Sequence, residues 1–394
     1  WLLVPAATVP AFEPKNKPIS LKECRKRLRK ALTESCPATG KPYLVIGGGF
    51  LGSRIIEMLL LRGERNVFVM DKSKTCSWAS DPRVSYVCGD ITRLLDVVVA
   101  CTDIDTVFMT AAIISFTDKI PFQYEKSFQV NVTGCDNVVK ACIACGVNYL
   151  VQTSTFHVTV PCAGMKGVIK VSESDPYVDK ESCTSYYAAT KALAEQLVLN
   201  ADGRVHENHL TELRTISIRP PGIFGAKDRM IVQDMLSTKE YMFLGFSSLM
   251  DWSYVDNVAF SHVLGEARLR TDVEAVGGQP FLISDGEPYL NNNFRSIIIH
   301  YGNVTAKYGP QRLIWLFAYV IEFWQRVLKH RFPKLDPPLS WFTYTAIKIM
   351  EYDVTVDSDK IRRCLGYYPL FSVEEGVQLS VLEHNDSKNS IFLN

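Results

Sequence analysis

Long hydrophobic runs are missing from this sequence of 394 residues. The most apolar stretch, residues 312–324, falls well short of the roughly 20 apolar residues that a helix needs to span a bilayer. Net charge is nearly absent as well, because 43 lysines and arginines balance 42 aspartates and glutamates. A protein without a basic surplus is not expected to bind nucleic acid.

Cysteine and histidine patterns typical of disulfide frameworks or metal sites are also missing. The 11 cysteines are an odd number without regular spacing, and the 7 histidines form no metal-ligand constellation. Reduced thiols fit this pattern best, because disulfide frameworks use even numbers of cysteines at regular spacings. The pattern predicts an intracellular protein without a metal site.

Basic residues are concentrated in an arm formed by residues 1–41. The arm holds nine lysines and arginines against three acidic residues, whereas the remaining 353 residues hold 34 against 39. From Ser20, which suits an N-cap, to Leu32 the pattern predicts a short basic amphipathic helix. This helix would lie on an anionic membrane, dock on a partner protein, or bridge to the first strand as a solvated helix. Since Trp1 stands in place of an initiating methionine, we expect further sequence upstream.

A glycine-rich turn between two apolar strands is the most informative motif. Its Gly-x-Gly-x-x-Gly pattern places glycines at Gly47, Gly49 and Gly52, and the second strand ends at Asp71. In dinucleotide-binding units the first glycine permits a tight turn, the second lets backbone N–H groups approach a pyrophosphate, and the third lets the helix pack closely. The Asp71 carboxylate would accept hydrogen bonds from the adenosine ribose and repel a 2′-phosphate. The motif therefore predicts NAD rather than NADP.

Strand-like and helix-like segments alternate beyond this motif. Four further strands are predicted at residues 84–88, 106–110, 149–153 and 215–218. Because crossovers between parallel strands are right-handed, such strands with helices between them form a doubly wound parallel sheet. The predicted fold class is α/β, a Rossmann-like sheet with a smaller, mainly helical C-terminal substrate region. Ligands bind beyond the carboxyl ends of such strands. The residues expected at this edge are Gly47, Asp71, Asp90, Ala111, Thr155 and Arg219.

Tyr187 and Lys191 offer acid–base chemistry at that edge. They are four residues apart in a helix-like segment after the fifth strand, so both side chains project from one helix face. A neighbouring ammonium favours the phenolate form of a tyrosine, which makes the phenolate a general base toward an alcohol proton. The pair predicts an enzyme that removes a proton from an alcohol.

The sequence resembles the extended branch of the short-chain dehydrogenase/reductase superfamily. Within that branch it resembles the 3β-hydroxysteroid dehydrogenase family, which includes sterol 4-carboxylate 3-dehydrogenases. Residues 251–259 and 359–369 are the stretches most specific to the steroid and sterol members. The more general motifs are the glycine turn and residues 89–92, 108–112, 130–134, 153–155, 187–191 and 219–225.

The resemblance implies a role for each matching residue. Tyr187 would be the acid/base, and Lys191 would hold the nicotinamide ribose and tune Tyr187. Thr155 would hydrogen-bond the substrate oxygen in place of the usual serine, and Asn131 would help organise a proton relay. The implied NAD-binding residues are Gly47, Gly49, Phe50, Leu51 and Gly52 at the pyrophosphate, Asp71 at the adenosine ribose, Asp90 and Ile91 at the adenine, and Ala111, Lys191 and Pro220 at the nicotinamide end.

Two residues depart from the family pattern. The first glycine of the family's Thr-Gly-x-x-Gly-x-x-Gly turn falls at Ile46, so this turn would hold the phosphates in a shifted register. Thr155 keeps the hydroxyl of the usual serine but adds a methyl group. Neither change removes a group that hydride transfer needs, although together they raise the alternative of a weakened enzyme.

The motifs also suggest a division of the chain. The apolar segment within residues 312–331 would form either a peripheral membrane contact or a buried helix beside a lipophilic pocket. Either arrangement suits a sterol-like substrate, and we expect a membrane-associated protein of the endoplasmic reticulum or mitochondrion. The predicted parts are a basic arm (1–41), a dinucleotide-binding domain (42–225 with a returning segment 251–285), a substrate-binding region (226–250 and 286–384) and a tail (385–394).

The sequence predicts NAD-dependent oxidation of a 3β-hydroxyl on a steroid or sterol-like substrate to the ketone, with Tyr187 as the general base. On a substrate with a 4-carboxylate, the ketone would serve as the electron sink for decarboxylation. The main alternative is a catalytically weak or inactive subunit with the dehydrogenase fold and a structural role in a larger assembly. A nucleotide-sugar epimerase is a further alternative, which the apolar C-terminal region disfavours. Related proteins suggest a homodimer.

Overall fold

The computed structural model describes residues 12–73, 78, 80–114, 121–161, 168–183, 185–206, 211–228, 231–238, 240–243, 248–308, 311–327, 343–344, 347 and 352–391. Its α-helices are α1 (Leu21–Ser35), α2 (Phe50–Arg62), α3 (Leu94–Cys101), α4 (Pro121–Phe128), α5 (Gly134–Cys145), α6 (Tyr186–Leu199), α7 (Val232–Ser237), α8 (Val255–Thr271), α9 (Val273–Val276), α10 (Asn291–Gly302), α11 (Gln311–Val327), α12 (Asp359–Leu365) and α13 (Val373–Ile391). Its strands are β1 (Tyr43–Ile46), β2 (Val67–Asp71), β3 (Val84–Cys88), β4 (Thr106–Met109), β5 (Tyr149–Thr153), β6 (Ile169–Val171), β7 (Arg204–Val205), β8 (Glu212–Arg219), β9 (Gly222–Phe224), β10 (Glu240–Phe243), β11 (Leu249–Met250), β12 (Trp252–Tyr254), β13 (Gln279–Leu282), β14 (Tyr289–Leu290), β15 (Thr305–Tyr308) and β16 (Val354–Val356).

A parallel sheet forms the centre of the molecule. Its strands follow the order β13-β8-β5-β4-β1-β2-β3, and β7 pairs antiparallel with β8 at one end. Tyr43 and Val45 of β1 pack toward α2 and α8, whereas Leu44 and Ile46 pack toward α3, α5 and α6. Because helices cover both faces, β1 and β4 are buried along their whole length. The predicted doubly wound α/β fold is confirmed.

The helix of the basic arm packs on the main domain. Ser20 caps α1 by accepting a hydrogen bond from the backbone N–H of Glu23. Cys24, Leu28 and Leu32 are buried against α2, α8 and α13. The apolar face of α1 is therefore not available to a membrane, and its basic face points to solvent. Residues 1–11 lie outside the described part of the chain, and docking of the arm on a partner protein stays a prediction.

Short sheets and helices cover the carboxyl side of the main sheet. Strand β6 pairs with β16, which belongs to a four-stranded sheet of order β14-β11-β16-β6. Strands β9 and β12 form a parallel pair, as do β10 and β15. Helix α13 packs on α10, α7 and β12, and it continues to Ile391, through most of the predicted tail.

Helix α11 has two apolar faces. Ile314, Ala318 and Ile321 are buried with Ile347, whereas large side chains on the opposite face are exposed. Residues 328–331 of the predicted membrane contact lie outside the described residues. None of the helices that the structure describes combines the length and the hydropathy of a membrane span.

Candidate active site

Gly47 and Gly52 form a turn that accepts no side chain at either position. Gly47 has a φ of +99°, and a Cβ atom there would lie 2.7 Å from the backbone nitrogen of Ala111. A Cβ atom on Gly52 would lie 1.8 Å from the carbonyl oxygen of Gly47. Since Ile46 is the last residue of β1, the tight turn begins at Gly47. The turn therefore follows the Gly-x-Gly-x-x-Gly register.

Gly49 lies in open space at the N-terminus of α2. A Cβ atom there would have no neighbour within 4 Å. The first hydrogen bond of the helix runs from Ser53 N to Gly49 O at 3.0 Å, so the N–H groups of Phe50, Leu51 and Gly52 have no acceptor within the helix. Free N–H groups and the positive end of the helix dipole attract a phosphate. The turn thus fits the pyrophosphate of a dinucleotide.

Asp71 lies at the end of β2 beside this turn. Its Oδ2 accepts a hydrogen bond from Gly48 N at 2.9 Å, and its Oδ1 accepts one from Ser73 N at 2.9 Å. Each carboxylate oxygen keeps a second lone pair. Asp71 is therefore fixed in a position to accept hydrogen bonds from ribose hydroxyls.

Asp90 and Ile91 follow β3 at the same edge of the sheet. Asp90 Oδ1 accepts hydrogen bonds from the backbone N–H and the hydroxyl of Thr92, which lower the pKa of Asp90. Ile91 is buried, and its Cγ2 atom would lie 2.9 Å from a Cβ atom on Gly134. The backbone carbonyl of Ile91 accepts a hydrogen bond from Asn137 Nδ2 at 3.0 Å, and the contact of Asp90 and Ile91 with an adenine stays a prediction.

Ala111 and Pro220 lie after β4 and β8, on the nicotinamide side of the predicted site. The backbone nitrogen of Ala111 donates to Ile46 O at 2.9 Å. The carbonyl oxygen of Pro220 accepts from Phe156 N at 3.2 Å, which joins the segments after β8 and β5. Both predicted residues thus belong to the backbone frame at the carboxyl edge of the sheet.

Tyr187 and Lys191 project from the first turns of α6. Ser185 caps this helix by accepting a hydrogen bond from Ala188 N. Both side chains are buried, Tyr187 at 6% exposure and Lys191 at 3%. Lys191 Nζ donates to the carbonyl oxygen of Thr153 at 2.5 Å. Burial lowers the pKa of Lys191 to about 8.

Thr155 lies two residues after β5 and caps a short 3-10 helix, Phe156–Thr159, which packs on α6. Its Oγ1 accepts from His157 N at 3.4 Å, so the hydroxyl hydrogen can be donated elsewhere. The side chain is buried at 6% exposure. Thr155 and Tyr187 thus stand on neighbouring elements at one edge of the sheet.

Asn131 lies in a π-helical turn, Gln129–Thr133, between α4 and α5. Its Oδ1 accepts from Ile113 N at 2.8 Å, and its Nδ2 donates to Ile113 O and to Thr190 Oγ1, both at 3.1 Å. Thr190 Oγ1 in turn donates to the carbonyl oxygen of Tyr187 at 2.9 Å. The Asn131 side chain therefore links the segment after β4 to the helix that carries Tyr187.

A buried ion pair lies beneath these groups. Glu195 is four residues after Lys191 on α6, and its Oε1 lies 2.6 Å from Arg219 Nη2. Tyr177 and Ser217 also donate to the Glu195 carboxylate. Arg219 was expected in the crevice, but this pairing holds it fully buried inside the protein. The helical spacing from Tyr187 through Lys191 to Glu195 was the available sequence signal for this carboxylate.

Comparison with known proteins agrees with this geometry. The profile of the 3-beta hydroxysteroid dehydrogenase/isomerase family matches residues 44–307. The chain belongs to this family. Among its relatives, short-chain dehydrogenase/reductase family 42E member 1 of Mus musculus is 31% identical over 84% of this chain and 85% of its own. The 3 beta-hydroxysteroid dehydrogenase type 7 of Homo sapiens is 30% identical over 89% of this chain and 97% of its own.

A third relative and a solved structure extend the comparison. The sterol-4-alpha-carboxylate 3-dehydrogenase, decarboxylating, of Bos taurus is 30% identical over 90% of this chain and 95% of its own. The structure of MoeE5 in complex with UDP-glucose and NAD aligns with a TM-score of 0.65 at 21% identity, covering 88% of this chain and 99% of that one. At this identity the likeness shows the fold. As a member of its family the chain is an oxidoreductase, and its cofactor is NAD.

Proposed function

We propose that this protein oxidises the 3β-hydroxyl of a steroid or sterol-like substrate to a ketone, with Tyr187 as the general base. The observation that supports this most directly is the placement of Tyr187 and buried Lys191 on one face of α6. That helix packs against β5 and the π-helical turn, at the edge of the sheet where the glycine turn also lies.

The proposed reaction divides the work among four side chains. Thr155 donates its hydroxyl hydrogen to the substrate oxygen and so fixes the alcohol. Tyr187 removes the hydroxyl proton, and the Lys191 ammonium stabilises the resulting phenolate. Asn131 helps organise the proton relay by holding the backbone around Tyr187 through Thr190. The bound NAD supplies the nicotinamide ring that accepts the hydride.

We assign the substrate to the region outside the main sheet, residues 226–250 and 286–384. The names of two relatives, a 3 beta-hydroxysteroid dehydrogenase and a sterol-4-alpha-carboxylate 3-dehydrogenase, support a fused-ring alcohol. Phe294 of this region stacks on Trp252 and makes an edge contact with Phe224, so an aromatic group joins the region to the main domain. On a substrate with a 4-carboxylate, the ketone would allow decarboxylation.

Incubation of the protein with NAD and a panel of 3β-hydroxysteroids, with and without a 4-carboxylate, tests the proposal through the absorbance of reduced cofactor. We expect turnover with at least one member of the panel. In Tyr187→Phe we expect kcat to fall at least about 100-fold. Tyr186→Phe is the matched control, since Tyr186 packs on Tyr124 and carries no proposed role. Bound NAD without turnover would favour the non-catalytic alternative, whereas equal rates in Tyr187→Phe and the wild type would exclude Tyr187 as the general base.

We also propose that α11 contacts a membrane surface. Leu316, Val320 and Phe323 lie on one face at spacings of four and three residues, and each is more than half exposed. The opposite face is buried within the protein, so the helix would lie in the plane of the interface rather than cross it. A surface that binds lipid would bring the site close to a substrate that dissolves in membranes.

A further inference from the structure

His262 is a buried histidine on α8 that the proposed reaction does not use. Its Nδ1 lies 2.7 Å from the carbonyl oxygen of Val258, and its Nε2 lies 2.8 Å from Thr153 Oγ1. A carbonyl oxygen can only accept, so Nδ1 carries the hydrogen. Burial lowers the pKa of His262 to about 4, so the ring is neutral near neutral pH. Nε2 is therefore a bare acceptor, and the hydroxyl of Thr153 donates to it.

Thr153 makes hydrogen bonds through both its side-chain hydroxyl and its backbone carbonyl. It is the last residue of β5, and its carbonyl oxygen accepts the hydrogen bond from Lys191 Nζ. The same residue thus contacts α8 through its hydroxyl and α6 through its carbonyl. No other segment is needed to connect His262 with the buried ammonium.

We propose that His262 is a positioning residue for Lys191, which acts by holding Thr153 so that its carbonyl oxygen accepts from Lys191 Nζ. The inference rests on the proposed function of Lys191 as the partner of Tyr187. A lysine side chain has a flexible four-carbon chain, and a fixed hydrogen-bond acceptor restricts where its ammonium lies. A buried ammonium also depends on its acceptors, because burial otherwise favours the neutral amine.

The charged and titratable groups around Lys191 give the expected pH effect a sign. Cys135 of α5, Glu195 of α6 and His262 of α8 all interact electrostatically with Lys191. Glu195 favours the ammonium, and a neutral His262 adds no opposing charge. If Thr153 no longer holds its carbonyl in place, the ammonium becomes less favourable and the pKa of Lys191 falls further. The alkaline limb of activity should then move to lower pH.

Removal of the Thr153 hydroxyl tests the proposal. In Thr153→Val we expect kcat to fall about tenfold, with the alkaline limb of the pH profile shifted down and KM for the steroid nearly unchanged. Thr153→Ser keeps the donor and should recover most of the loss. Thr215→Val is a matched control on β8, because it removes a buried hydroxyl that donates to Val198 O at 2.9 Å, away from the site. It should lower stability and leave the pH profile unchanged.

A second set of measurements does not depend on turnover. In histidine-labelled protein without cofactor, the ¹⁵N resonance of His262 Nε2 should show an unprotonated acceptor that shifts in Thr153→Val but not in Thr153→Ser. The dissociation constant for NAD should rise about threefold in Thr153→Val, because Lys191 is also expected to hold the nicotinamide ribose.

Several results would overturn the inference. A protonated Nε2 in the wild-type protein would exclude the proposed hydrogen bond. Equal pH profiles and NAD affinities in Thr153→Val and the wild type would exclude the effect on Lys191. A wild-type protein that binds NAD but oxidises no steroid would contradict the proposed function alone, since the NMR and NAD measurements would still decide the role of His262.

Discussion

At the scale of single residues, Gly49 and Gly52 of the glycine turn differ in what surrounds them. Gly52 faces the carbonyl oxygen of Gly47, whereas Gly49 faces open space. The first arrangement is a requirement of folding, because the helix cannot approach the strand with a side chain between them. We propose that the second is a requirement of ligand binding, because the open space would receive a phosphate of NAD.

Alanine at these two positions should therefore affect different properties, protein stability at Gly52 and NAD binding at Gly49. We expect Gly52→Ala to lower the free energy of unfolding by about 2 kcal/mol or more, since its Cβ atom cannot fit without backbone shifts. Gly49→Ala should change that free energy by less than about 1 kcal/mol. It should raise the dissociation constant for NAD roughly tenfold. Urea unfolding and calorimetric titration measure the two effects, and a stable Gly52→Ala protein would contradict this account of the turn.

Some features of single residues follow from the local sequence, and others depend on tertiary contacts. The roles of the three glycines follow from a local motif, and Ile46 as the strand end is consistent with the register that the motif indicates. The burial of Arg219 and the contact between His262 and Thr153 do not follow from any local pattern. The burial of Arg219 depends on its ion pair with Glu195 of α6. The second contact depends on how α8 packs against β5, which brings together two residues separated by 109 positions in the sequence.

At the scale of elements, α1 follows from a local sequence pattern, whereas the π-helical turn depends on tertiary contacts. The N-cap at Ser20 and the apolar spacing predicted α1, although they could not tell whether its apolar face meets a membrane or the protein. The π-helical turn at residues 129–133 was not predicted from the sequence. Its distortion accompanies hydrogen bonds from Asn131 to Ile113 and Thr190, which are tertiary contacts.

Helix α11 gives a prediction at this scale. The double variant Leu316→Glu with Phe323→Glu should weaken binding to phosphatidylcholine vesicles about tenfold, because it removes apolar area and adds charge at the interface. The matched control is Leu95→Glu with Val99→Glu on α3, where the exposed fractions, 69% and 61%, are comparable with 60% and 53% on α11. Co-sedimentation measures binding. Equal losses in both double variants, or none in the first, would contradict a specific role of α11.

At the scale of the whole molecule, the sequence predicted the parallel sheet but not every strand. The predicted strands are present in the structure because each is a short apolar run between helix-like segments. Strand β13 escaped prediction, as its four residues include a proline and lack a strong pattern. Strand β6 was missed because it pairs with β16, whose residues lie far along the chain, and short edge strands are specified by such pairing rather than by local sequence.

We propose that the whole molecule moves a hydride from C3 of a fused-ring alcohol to NAD. Its parts come from separate elements, with the cofactor turn after β1, the hydroxyl of Thr155 after β5, and the acid–base pair on α6. Transfer requires all of them to converge on one carbon atom. The hydrogen that leaves this carbon therefore reports most directly on whether the transfer occurs.

A substrate deuterated at the 3α position provides that measurement. Mass spectrometry of the cofactor after incubation with a 3β-hydroxysteroid should find one deuterium in reduced NAD and a 3-ketone as the product. The label transfer should fall at least about 100-fold in Tyr187→Phe. Bound NAD that gains no deuterium from any 3β-hydroxysteroid would contradict hydride transfer from C3, and equal transfer with and without the Tyr187 hydroxyl would contradict its role as the general base.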